Sequence, residues 1–65
     1  MIELYKVPRN SKIRIEVRFS DNTEKVYNDL IFHRIDGAYS YCTDKEGRVF
    51  HIGASTLVEV LNGYN

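Results

Sequence analysis

From Lys12 to Phe19 apolar and charged residues alternate without a break: Ile13, Ile15, Val17 and Phe19 fall on one side, and Lys12, Arg14, Glu16 and Arg18 on the other. Period-two alternation marks a strand with one buried face, so this run predicts the first long β-strand. Ser20-Asp21-Asn22-Thr23 carries turn chemistry. The pattern resumes at Lys25, passes Val26 and Tyr27, and reaches Ile35 with a bend expected near Asn28-Asp29. Asp36-Gly37 follows at once, flanked by alternating runs, which is the strongest short-range signal for a two-residue hairpin turn. Such a turn of the mirror-image type asks for positive φ at both central residues, which glycine adopts freely and aspartate tolerates. A third strand is expected from Ala38 to Thr43. Asp44-Lys45-Glu46-Gly47 then fits a type I turn closed by a left-handed glycine at a bulge, with a fourth strand from Arg48 to about Ile52.

The two ends are less regular. Ile2 to Val7 suits a short edge segment, and Pro8, which lacks a backbone donor, belongs to a loop or strand edge. Thr56-Leu57-Val58-Glu59 matches a capping box that would start a helix. Leu57, Val58 and Val60 suit a strand equally well, and so short a helix is not stable alone. A short 3-10 turn or helix near residues 54–57, followed by a final strand, is therefore expected.

Centring the hairpin on Asp36-Gly37 pairs Ile35 with Ala38, Arg34 with Tyr39, His33 with Ser40, Phe32 with Tyr41 and Ile31 with Cys42. Carrying the register through Gly47 pairs Thr43 with Val49, Cys42 with Phe50, Tyr41 with His51, Ser40 with Ile52 and Tyr39 with Gly53. Opposed residues share a face. Ile31, Ile35, Ala38, Cys42, Phe50 and Ile52 then form the interior, with His33 and Ser40 at its rim, while Phe32, Arg34, Tyr39, Tyr41 and His51 look outward. One more residue in the Asp44 loop would shift the fourth strand by one position and move Phe50 and Ile52 to the tyrosine side. Phe32, Tyr39 and Tyr41 would then be core, with His33, Ser40 and His51 outside.

Sixty-five residues make one domain, 1–65, with a thin core. Nine basic and nine acidic side chains cancel, so no global field draws the chain to nucleic acid or an anionic membrane. The basic residues do lean toward the front, where Lys12, Arg14 and Arg18 share the first strand. A single cysteine, Cys42, excludes an intramolecular disulfide and suits a reducing, cytoplasmic setting. No apolar run approaches the length of a membrane span, and Met1 leads straight into patterned sequence, so the chain reads as complete, unexported and unanchored.

Five short antiparallel strands joined by tight turns make an all-β domain whose layout resembles a small five-stranded SH3-like barrel. The run His33-Arg34-Ile35-Asp36-Gly37-Ala38-Tyr39-Ser40-Tyr41-Cys42, within the block from Phe32 to Thr43, is similar to that of small proteins encoded by tailed bacteriophages. That resemblance implies a compact accessory protein of the host cytoplasm and transfers no functional residue. The peptide-binding signature of signalling SH3 domains, Ala-Leu-Tyr-Asp-Tyr with a tryptophan, is missing. Recognition of Pro-rich peptides is therefore not implied.

Candidate chemistry is sparse. His33 and His51 lack a third ligand and are expected on opposite faces, which argues for hydrogen-bonded strand residues over a metal site. Cys42, His33 and Asp36 supply the side chains of a nucleophile, base and orienter, yet Cys42 belongs to the core row, where a thiol is an inert hydrophobe. No phosphate loop or carboxylate pair is visible, so neither an enzyme nor a cofactor is expected. The group Phe32, Arg34, Tyr39, Tyr41 and His51 carries the functional expectation: tyrosine and arginine concentrate binding energy at protein interfaces. The structural reading beside it is cross-strand packing. A protein partner, from host or phage, is the first expectation, and single-stranded nucleic acid stacked on the aromatics is the alternative. Exposed strand edges also leave a homodimer open.

Overall fold

A computed structural model describes residues 1–61; the last four residues of the expected domain, 62–65, lie outside the described part. Six strands form a single antiparallel sheet: β1 (Ile2–Glu3), β2 (Ser11–Arg18), β3 (Glu24–Asp36), β4 (Tyr39–Thr43), β5 (Val49–Phe50) and β6 (Leu57–Val60), in the spatial order β1-β6-β2-β3-β4-β5. The all-β architecture agrees with the sequence pattern, with six strands where five were expected. The extra strand is the N-terminal edge segment, where Ile2 pairs with Val58 and Glu3 with Leu57. The ladder does not close, and β1 and β5 are its edges.

The alternation of β2 buries Ile13 and Ile15 completely and Val17 partly, while Phe19, just past the strand end, is exposed. The ladder to β3 is interrupted between Ile13 and Ile15, where Asn28 and Asp29 together oppose Arg14. Asp29 has φ +60° there, a conformation that aspartate accepts more readily than most residues. This bulge places the expected bend, and it has a packing cause. Tyr27 and Leu30 stand three residues apart, so a regular strand would send them to opposite faces; the extra residue turns both toward the core.

The β3–β4 hairpin corrects the expected register. Its turn is centred on Gly37-Ala38, with Asp36 still in the ladder opposite Tyr39. Gly37 has φ +68° and Asp36 is not left-handed, so only the first central residue is positive, as in a type II′ turn. Ile35 therefore faces Ser40, Arg34 faces Tyr41, Phe32 faces Cys42 and Ile31 faces Thr43, with a second bulge at His33. Beyond β4 the expected loop and register are observed. Gly47 has φ +83° and donates to the Asp44 carbonyl at 3.0 Å. Thr43 pairs with Val49, Cys42 with Phe50, and Tyr39 bridges Gly53.

Residues 53–56 form the expected brief turn, Thr56 N–H donating to Gly53 C=O at 3.0 Å, and the chain there does not go on into a helix. The 3-10 turn of the described chain lies at Leu4–Lys6 and rotates Leu4 fully inward. Leu4 N–H bonds Thr56 C=O at 2.9 Å and Tyr5 N–H bonds Ala54 C=O at 3.0 Å, while Ala54 N–H bonds Ala38 C=O at 2.9 Å. The turn is thus held from both sides. β6 then runs as the expected final strand between β1 and β2, with Val58 buried.

Leu4, Val7, Ile13, Ile15, Leu30, Phe32, Cys42 and Val58 make the core, and Val17, Tyr27, Ile35, Phe50 and Ile52 pack around it. Ala38, expected inside, is exposed at the turn, and Ile31 is only half-buried on the other face. Among the described residues, every buried side-chain nitrogen or oxygen has a hydrogen-bond partner.

Candidate contact face

Opposed residues share a face, so the register sorts the hairpin. Phe32 and Cys42 are paired, and both are inside, 2% and 0% exposed. Phe32 therefore leaves the expected contact group: its partner is the thiol residue and not Tyr41. Arg34, Tyr39, Tyr41 and His51 remain on the outer side. His33 joins them, correcting its expected place beside the core. The bulge explains why His33 and Arg34, adjacent in sequence, both look outward.

Tyr41 is the centre of this face. The Arg34 guanidinium lies 4.5 Å from its ring centroid. The His33 ring stands at 5.2 Å, tilted by 37°, and the His51 ring stacks at 6.1 Å with 27° between planes. His33 Nε2 lies 2.7 Å from Thr43 Oγ1. His51 Nδ1 is 3.2 Å from the Ser40 carbonyl, which only accepts, so Nδ1 carries the hydrogen and donates. Tyr39 lies nearer the hairpin tip, is 58% exposed and makes no ring contact among the described residues.

Among the described residues, the ion pairs engage five of the basic residues and leave Arg34, like Arg9 and Lys25, without a carboxylate. Arg14 reaches Glu16 at 2.9 Å and Glu59 at 3.6 Å, Arg18 pairs with Glu24, and Arg48 holds Asp44 at 2.7 Å and Glu46 at 3.2 Å. Lys6 and Lys45 pair with Glu3 and Asp29. Arg34 makes no ion pair among the described residues. The basic strip expected on the first strand is correspondingly weakened, since Arg14 and Arg18 are neutralised by neighbours. At the Asp44 loop, desolvation alone would push that carboxyl up. Hydrogen bonds from the Arg48 backbone and guanidinium, with the Arg48 charge and the Glu46 N–H, outweigh it and hold the group below the usual carboxylate range.

The nucleophile arrangement does not assemble. Cys42 is sealed in the core with Ser40 Oγ 3.4 Å from its sulfur, while His33 is on the far side of the sheet. Burial pushes the Cys42 thiol up, with the Ser40 hydrogen bond partly opposing. A thiol so placed is a poor nucleophile. Among the described residues no group of three or more His, Cys, Asp or Glu could hold a metal. A groove of about 230 Å³ lies elsewhere, under the Asp44 loop, lined by Val26, Tyr27, Leu30, Asp44, Lys45 and Arg48. Its charged walls are engaged in the Asp44–Arg48 and Asp29–Lys45 pairs.

The signal that would have revealed His33 is a break of parity. Leu30 and Phe32 obey period two, but the next apolar residue, Ile35, is three positions on. An odd spacing between core residues of one strand requires a bulge.

No helix among the described residues is long and apolar enough to cross a membrane. No protein-family model, curated protein or solved structure matches the chain.

Proposed function

We propose that the protein is a non-enzymatic binding module that docks a partner protein on the outer face of β3, β4 and the segment after β5, and so modulates that partner. One observation carries the reading: Tyr41 is flanked by an arginine with no ion pair and by two imidazoles, on a sheet face that also exposes Tyr39. Tyr39 and Tyr41 anchor, since a rigid ring provides contact area at small entropy cost. Arg34 orients a polar group of the partner. Phe32 acts from inside, fixing the strand that carries Arg34.

In architecture we read the chain as SH3-like. The support is the double hold on Ala54, which ties the β4 start to the N-terminal turn across the open side of the sheet. In setting we read it as a phage accessory protein acting in the host cytoplasm, on the resemblance of the Phe32–Thr43 block. Base stacking of single-stranded nucleic acid on Tyr39 and Tyr41 is the weaker alternative. Such sites rely on a cationic groove, whereas net charge here is zero and Arg14 and Arg18 are ion-paired.

The test is affinity capture from host lysate with wild type and with Tyr39→Ala/Tyr41→Ala. Wild type retains a protein that the double variant loses, and moderate salt leaves the capture intact. Equal recovery by both forms overturns the docking face. Recovery of nucleic acid that falls steeply with salt favours the alternative.

A further inference from the structure

Each histidine of the Tyr41 cluster uses one ring nitrogen inside the protein and leaves the other without a protein partner among the described residues. His33 engages Thr43 through Nε2, and His51 engages Ser40 through Nδ1. While the rings are neutral, Nε2 of His51 accepts and Nδ1 of His33 accepts or donates according to which way the Thr43 hydroxyl points; with both rings protonated, both are charged donors. Between them lies the Tyr41 ring, with the Arg34 guanidinium on it.

Resting on the docking reading above, we propose that this cluster recognises an acidic peptide segment, a carboxylate seating against Arg34, and that protonation of His33 and His51 tightens the hold. The argument is charge complementarity. Among the described residues, Arg14, Arg18 and Arg48 have carboxylate partners within the chain, Arg9 and Arg34 do not, and of these two it is Arg34 that is stacked on an aromatic ring. A guanidinium presents paired N–H donors that match a carboxylate, and the stacked ring holds its plane. Other groups on this face are Lys12, across the sheet from Ile31 and Thr43, Arg14 with its partners Glu16 and Glu59, the phenols of Tyr39 and Tyr41, and Asp36 beside the turn. Asp36 is the acid nearest the hairpin tip and makes no ion pair with Arg34. It sets the limit of the site at the hairpin tip, where a second carboxylate would be repelled.

An acidic peptide is favoured over a nucleic acid strand because one guanidinium flanked by two imidazoles matches a few carboxylates. A phosphate backbone calls for a continuous basic track.

The experiment titrates full-length protein into fluorescein-labelled peptides at low salt and reads anisotropy. The probes are a run of about ten glutamates interleaved with tyrosine, the same peptide with glutamine for glutamate, and an oligothymidylate of equal charge. The expected result is that the glutamate peptide binds best, and roughly three- to tenfold more tightly near pH 5.8 than near pH 8, where glutamate stays ionised throughout. Arg34→Gln removes the preference for glutamate over glutamine. His33→Asn and His51→Asn, singly and together, flatten the pH profile with the fold intact by circular dichroism.

Equal binding of the glutamate and glutamine peptides overturns the proposal, as does tighter binding of the oligothymidylate. A pH profile that survives in the double histidine variant does so as well. The wild-type comparison needs no variant to fold. If Tyr39→Ala/Tyr41→Ala loses its partner while wild type shows no preference for glutamate, the docking face stands and this inference fails.

Discussion

The two sides of the β3–β4 hairpin are built from the same few residues and treat their polar groups in opposite ways. Inside, Ser40 Oγ donates to the Ile52 carbonyl at 2.9 Å, accepts from the Ile52 N–H at 3.2 Å and touches Cys42 Sγ at 3.4 Å, beneath Phe32. Every polar atom there is satisfied within the chain. Outside, Arg34 has a ring beneath it but no carboxylate, and each imidazole has one nitrogen engaged and one open. A polar group that closes its bonds internally holds the fold, because losing the partner strands it in a low dielectric. A polar group left half engaged at the surface is available to a ligand.

Disturbing the inner side should therefore be costly, and Phe32→Ala most of all. Phe32 is 2% exposed at the centre of the core. Truncating a buried phenylalanine costs about 3 to 5 kcal/mol, set against a total of roughly 3 to 10 kcal/mol for a domain of this size. Urea unfolding followed by circular dichroism should find this variant largely unfolded near 37 °C. A loss below about 1 kcal/mol would mean that Phe32 is not core and that the face assignment is inverted.

Ser40→Ala is the next step down. It leaves the Ile52 N–H without its recorded acceptor, a loss of about 1 to 3 kcal/mol. It also loosens the contact over Cys42, so labelling of that thiol by iodoacetamide should speed up while wild type stays protected until unfolded. Unchanged labelling in the variant would show that Ser40 does not help to seal the inner side.

How far the sequence exposed this contrast depends on the spacing of particular residues. β2 was legible because Ile13, Ile15 and Val17 keep strict period two. The Asp44 loop was legible because Asp44 and Gly47 each have one conformational role, and the register it sets placed Cys42 opposite Phe50 as expected. The β3–β4 register was not. Asp36-Gly37 and Gly37-Ala38 are both acceptable two-residue turns, and local propensity points to the first, which is not the one observed. What selects the second is packing: Phe32 and Ile35 can both reach the core only if His33 is bulged out, and that is a demand of the whole sheet. The inward turn of Leu4 was hidden for a similar reason, since it depends on bonds to Thr56 and Ala54 at the other end of the chain. Among the contact residues, Arg34, Tyr39 and Tyr41 share a face in either β3–β4 register, and the register of the Asp44 loop adds His51 and turns that face outward, but the company of His33 did not follow.

The smallest expected change in stability, and the sharpest division between the two sides, comes from Arg34. Glutamine keeps most of the stem of arginine and removes its charge, while lysine keeps the charge and loses the flat guanidinium that stacks on Tyr41. An exposed cation–π contact contributes about 0.5 to 1 kcal/mol, so Arg34→Gln and Arg34→Lys should each unfold within about 1 kcal/mol of wild type. Partner capture should nevertheless rank wild type first, Arg34→Lys second and Arg34→Gln last, because docking uses both the charge and the plane. If Arg34→Gln instead destabilises as much as Ser40→Ala and the captured partner is unaffected, the cation on Tyr41 is cross-strand packing. The outer side would then serve the fold in the same way as the inner one, and the contrast between them would vanish.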